Sequence, residues 1–166
     1  MCHLGFIGKR VLVSARTPNA GARLSVQASL SNIVQKDLRL LKINPKRSLG
    51  QNFVTSEKVL QQIVASANIK KGDKILEIGP GLGSLTDCLL HCGASVLAVE
   101  KDDVLYKHLQ AKFSEEPAVS LIHSDILLLR DIKQILDDFR GGTGESSVRV
   151  VANIPYNITS GVLLHC

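Results

Sequence analysis

From residue 56 onward the chain alternates between two textures. Four short apolar runs, Lys74–Ile78 (KILEI), Ser95–Glu100 (SVLAVE), Val119–Asp125 (VSLIHSD) and Val148–Tyr156 (VRVVANIPY), have the length and β-branched content of buried strands. Beside them, apolar residues recur at helical spacing. The sets are Val59, Leu60, Ile63, Val64 and Ala67; Leu82, Leu85, Leu89 and Cys92; Val104, Leu105, Leu109 and Phe113; and Ile132, Ile135, Leu136 and Phe139. Ser56 is placed to cap the first of these helices, Gly93 to end the second, and Asp102 and Asp103 to open the third at its positive end. Strands and helices in strict alternation predict an α/β fold of parallel βαβ units joined by right-handed crossovers.

The first strand breaks into Gly79, Gly81 and Gly83, and a helical pattern follows at once. Glycines there allow a tight turn and the close approach of a ligand to the backbone. The spacing is G-x-G-x-G rather than G-x-G-x-x-G, and Pro80 stiffens the loop, so a nicotinamide dehydrogenase is the weaker reading. Taken alone, the glycines also suit an ordinary turn. The second strand, however, ends in Glu100, where nucleotide-binding α/β folds place an acid that accepts from the ribose hydroxyls. The third ends in Asp125 and the fourth in Asn-Ile-Pro-Tyr, so all four strands carry polar or special residues at the ligand-binding edge of such sheets.

At 166 residues and 45% apolar content the chain suits one domain with a substantial core. No apolar run approaches the roughly 18 residues of a membrane span, and no membrane partner is expected. Cys88, His91 and Cys92 lie close together on a helix without a second ligand pair, so packing is favoured over a metal site. The net charge of +5 is uneven: residues 1–47 hold nine Lys and Arg against Asp37, and the rest is net acidic. Residues 1–36 hold no acid, several Ser and Ala and scattered Arg. That composition predicts an organelle transit peptide over residues 1–40, plastid ahead of mitochondrion, with Ser25–Ser29 (SVQAS) as a processing site.

Five motifs occur in order: GQNF at Gly50–Phe53, EIGPGLGSLT at Glu77–Thr86, the acid of AVEKD at Glu100, SDI at Ser124–Ile126, and NIPYNITS at Asn153–Ser160. With these, the chain from about Asn44 to His165 resembles the ribosomal RNA adenine dimethyltransferases, which methylate two adjacent adenines of small-subunit rRNA. The resemblance implies a Rossmann-like methyltransferase fold with S-adenosylmethionine as cofactor. It also implies small-subunit rRNA or the pre-ribosomal subunit as partner, and a monomer. In the family the sheet continues through three further strands and a small helical domain. Residues 41–166 therefore correspond to the N-terminal part of the catalytic domain, and the chain as written is expected to fall short of RNA dimethylation. A non-catalytic transcription factor of the same fold is the alternative, against which the retained Glu100, Asp125 and NIPY element argue. A small-molecule methyltransferase is disfavoured by the GQNF and NIPY pair.

The family motifs carry roles onto particular residues. Gly79, Gly81 and Gly83 would lie against the methionine and ribose, Glu100 would accept from the ribose hydroxyls, Asp125 from the adenine amine, and the Ile126 amide would donate to the ring. Gln51, Asn52 and Val54 would close over the cofactor. Glu77 is assigned to the cofactor site, with a role in tying down the loop backbone as its alternative. Asn153, which would also touch the cofactor, and the Ile154 carbonyl would accept from the target amine, Pro155 would hold the turn rigid, and Tyr156 would stack on an adenine turned out of its helix.

Overall fold

The computed structural model describes residues 4–6, 11–13, 27–43, 53–54, 56–141 and 147–153, with side chains from Leu30 onward. A two-stranded antiparallel ribbon, β1 (Leu4–Phe6) and β2 (Val11–Val13), comes first, followed by α1 (Gln27–Leu40) and α2 (Glu57–Ala67). The alternating part then runs β3 (Lys74–Ile78), α3 (Ser84–His91), β4 (Ser95–Glu100), α4 (Asp103–Lys112), β5 (Val119–His123), a 3-10 turn (Ile126–Leu128), α5 (Ile132–Arg140) and β6 (Val148–Ala152). The last four strands form one parallel sheet in the order β5-β4-β3-β6.

Both faces of this sheet are covered, which is why its strands read as continuous apolar runs. On one face Ile75, Val96, Ala98 and Val151 pack with Leu60, Ile63 and Ala67 of α2 and Leu85 and Leu89 of α3. On the other, Leu76, Ile78, Leu97 and Val99 meet Ile132 and the half-buried Ile135, Leu136 and Phe139 of α5. Arg149 of β6 donates to the Ala67 carbonyl at the end of α2 (2.8 Å) and pairs with Asp73 just before β3. From β3 the chain steps outward through β4 to β5, and α5 then returns it to the other side of β3. The order reverses at β3, and open α/β sheets bind ligands at the carboxyl ends of strands beside such a reversal.

Three helix expectations change in detail. Leu82 is buried but belongs to the loop, since α3 begins at Ser84. Val104 is 43% exposed, because α4 buries the stripe Leu105, Leu109 and Phe113 and Val104 falls beside it. Ser56 stands at the N-cap of α2 without a side-chain hydrogen bond, whereas Asp102 caps α4 by accepting from the Val104 and Leu105 amides.

Within residues 1–40, the expected leader, α1 spans Gln27–Leu40 and turns Val34 inward to 2% exposure against Leu82 and Leu105. Leu30 and Leu38, one helical row with Val34, join the same cluster. Val34→Ala is expected to cost about 1–3 kcal/mol, while Ile33→Ala, at a 52% exposed neighbour, stays within about 0.5 kcal/mol. Urea denaturation of the two variants checks this, and equal effects would show α1 to be undocked.

Candidate functional site

The site is built where β3, β4 and β5 end together. After Ile78 the chain leaves the sheet as Gly79, whose N–H still donates to the Val99 carbonyl (2.9 Å), and the loop closes with Gly83 N–H donating to the Pro80 carbonyl (2.9 Å). At its centre the Gly81 N–H donates to Oε2 of Glu100 at 3.1 Å. Oε1 of the same carboxylate accepts from the Lys101 and Asp102 amides, each at 2.9 Å. Glu100 is buried, and that burial pushes its carboxyl pKa up against the three N–H donors, which pull it down.

The loop is tight because side chains fill the space where glycine has none. A Cβ on Gly83 (φ +77°) would lie 2.8 Å from the Phe113 ring and 3.1 Å from Leu109 of α4. One on Gly81 (φ +62°) would meet the Phe53 ring at 3.2 Å. Phe53, the last residue of the GQNF motif, thus packs on the loop at Gly81. On the opposite side Lys112 donates to the Leu82 carbonyl (3.0 Å) and pairs with Asp87 (2.6 Å).

Asp125 follows β5 and caps the 3-10 turn, its Oδ1 accepting from the Leu127 amide at 3.1 Å. Its Oδ2 takes Lys101 Nζ at 2.7 Å, and this lysine holds the Asp125 carboxyl below the usual range despite some burial. Ile126, beside it, buries its side chain under α5, leaving its backbone for any ligand contact. Asn153 follows Ala152, which is in register with Ile78, so Asn153 sits level with Gly79 across the β3–β6 pair.

Two residues expected at the cofactor have buried side chains. Val54 is 9% exposed and packs with Leu60 and Ile63. Among the described residues Glu77, 1% exposed, bonds to α3 rather than to the loop backbone: its Oε2 accepts from Thr86 Oγ1 in the first turn of α3 at 2.7 Å. Burial dominates there and raises the Glu77 carboxyl from 4.5 to about 8, which leaves it protonated at neutral pH. Gln51, Asn52, Ile154, Pro155 and Tyr156 lie outside the described residues. Among the described residues no three His, Cys, Asp or Glu side chains gather as a metal site would need, and burial raises the Cys88 thiol to about 11.

The sequence reading missed Phe53, Thr86 and Lys101 as working parts. Phe53 stood inside a quoted motif, and Thr86 lies one turn into a helix that starts at the loop. Lys101 carried no signal, because its partner Asp125 is brought to it only by the adjacency of β4 and β5.

Chemically the strand ends present a buried carboxylate, a second carboxylate on the neighbouring strand and a glycine loop bonded to the first of them. The parallel sheet in the order β5-β4-β3-β6, with this loop after β3, is that of a Rossmann-like S-adenosylmethionine-dependent methyltransferase. A putative RNA methyltransferase of Pyrococcus horikoshii superimposes with a TM-score of 0.57 at 20% identity, over 86% of this chain and 67% of that one. The 23S rRNA methyltransferase ErmE gives 0.55 at 29% identity, over 69% and 42%.

The chain belongs to the ribosomal RNA adenine dimethylase family, whose model matches residues 42–166. It is 38% identical over 142 residues to the ribosomal RNA small subunit methyltransferase A of Alkaliphilus oremlandii, covering 86% of this chain and 47% of that protein. To the protein of the same name from Corynebacterium jeikeium it is 42% identical over 127 residues, 75% of this chain and 39% of that one. The chain thus spans less than half the length of these curated relatives.

The Glu77 proton yields a prediction. An unfolded Glu77 ionises near 4.5 and the folded one near 8, so between these values the folded state keeps a proton that the unfolded state has lost. Stability from this group is complete below about pH 4.5 and is lost as pH rises toward 8. Glu77→Gln keeps an acceptor for Thr86 and removes the titration. Urea transitions at about pH 5 and pH 8 should show the wild type losing on the order of 3 kcal/mol more than the variant. Parallel pH profiles would mean that Glu77 is already ionised.

Proposed function

We propose that this chain binds S-adenosylmethionine and serves N6,N6-dimethylation of adenine in small-subunit ribosomal RNA. The observation that carries the reading is the pair of carboxylates, Glu100 and Asp125, on adjacent strand tips, with Glu100 bonded to the loop at Gly81. Family membership and the named relatives support the choice of RNA as substrate.

When bound, S-adenosylmethionine supplies an electrophilic methyl group. The work of the chain is to hold and orient. Backbone at Gly79 and Gly81 lies against the ribose and methionine, and Asp125 accepts from the adenine amine while the Ile126 amide donates to the ring. A carboxylate offers about four acceptor positions, and Glu100 already uses three on backbone amides. It therefore takes one ribose hydroxyl directly, and a second only if the Gly81 amide gives way. Asn153, level with the loop, and the Ile154 carbonyl accept from the amine of the target adenine, so that its lone pair faces the methyl group. Pro155 keeps that turn rigid, and Tyr156 stacks on the base, which has to leave its helix to be reached. A monomer working in an organelle, plastid ahead of mitochondrion, with residues 1–40 as its import leader, is part of the proposal.

Calorimetric titration of S-adenosylhomocysteine tests the cofactor half. Glu100→Ala is expected to lose about 1.5–3 kcal/mol of binding, the scale of a hydrogen bond to a charged group. An unchanged affinity would remove Glu100 from the site. For the chemical half, Tyr156→Ala in a chain extended to the length of its relatives should lower methyl transfer to immature small ribosomal subunits by at least about tenfold to a hundredfold, as loss of one base stack implies. Cofactor affinity should stay within a few-fold, and full activity in Tyr156→Ala would rule out stacking.

A further inference from the structure

The Lys101–Asp125 contact joins two strand tips at the point where the base of the cofactor is placed. Lys101 is fixed at its backbone, because its N–H donates to Glu100 Oε1 at 2.9 Å, and its stem reaches across to Asp125 Oδ2 at 2.7 Å. The other oxygen of Asp125 is held by the Leu127 amide at 3.1 Å. Both oxygens are therefore engaged before any ligand arrives, and one of the two partners is a full positive charge. The pair is open on one side only: the lysine side chain is 58% exposed and the aspartate 22%. Lys101 can swing into water at little cost, whereas Asp125 is held by the turn that it caps.

We propose that Lys101 is a specificity-determining residue of the base subsite, the group that an incoming purine amine displaces from Asp125 and the donor that a purine carbonyl meets in its place. The proposal rests on the S-adenosylmethionine reading above and adds to it how the base is selected. A 6-amino purine brings an N–H donor and competes with the lysine for the same carboxylate oxygen. A 6-oxo purine brings an acceptor, which a lone carboxylate repels, but the Lys101 ammonium can donate to it while remaining close to Asp125. The lysine thus weakens binding of the amino base and softens rejection of the oxo base. An exposed ion pair of this kind is worth at most about fivefold in binding, which sets the size of the competition.

The test compares the full chain with Lys101→Met, and with Lys101→Gln as a second variant, by calorimetric titration of S-adenosylhomocysteine and S-inosylhomocysteine. Cooperative urea transitions establish that the variants fold, and the carboxyl shift of Asp125, followed by NMR, establishes that the pair is broken when its titration moves up. Lys101→Met should bind S-adenosylhomocysteine roughly two- to fivefold more tightly and S-inosylhomocysteine several-fold more weakly than the native chain. If the native chain binds S-adenosylhomocysteine and Lys101→Met binds it equally or less well, or the ratio between the two ligands is unchanged, the role of Lys101 is overturned while the cofactor reading stands. If neither protein binds S-adenosylhomocysteine, both are overturned.

Discussion

Three backbone N–H groups converge on the Glu100 carboxylate, one from the loop after β3 and two from the turn into α4. Because the anion is buried, those bonds are what make its burial tolerable, and the loop and turn depend on it in return. The conformation of the glycine loop is consequently a property of two strands. Taking the carboxylate away would leave the Gly81 amide without that partner and free the start of α4 from the tip of β4.

Around that contact, packing fixes what hydrogen bonding alone would leave loose. Phe113 and Leu109 press on the loop where Gly83 has no side chain, Phe53 lies on Gly81, and Lys112 holds the Leu82 carbonyl. Val34 then docks α1 on Leu82 and Leu105, so the loop is braced from an element well ahead of it in the chain. A ligand approaching the loop meets a surface already shaped, which lowers the ordering cost of binding.

The acids of the site are kept in different states by their surroundings. Glu77, buried with the Thr86 hydroxyl as its partner among the described residues, is held neutral, and in that form it links β3 to α3 without placing a charge in the core. Asp125, beside Lys101 and nearer to solvent, is held ionised. The Glu100 charge pushes the same way on the Glu77 carboxyl, and a neutral Glu77 avoids that repulsion.

Local pattern was sufficient for much of this. The four strands, the helices between them, the glycine loop, and Glu100 and Asp125 as strand-end acids are all legible in the order of residues, because apolar runs, helical spacing and turn residues act over a few positions. The order β5-β4-β3-β6 is implied by the family resemblance, since right-handed crossovers alone leave it open. What local pattern could not supply depends on which segments become neighbours. The burial of Val54 and Val34, the turn of Glu77 away from the loop toward Thr86, and the reach of Lys101 to Asp125 join residues 9 to 71 positions apart or set a side chain against such a neighbour. Those contacts exist only after the sheet has closed and the helices have docked, so they were decided by tertiary structure.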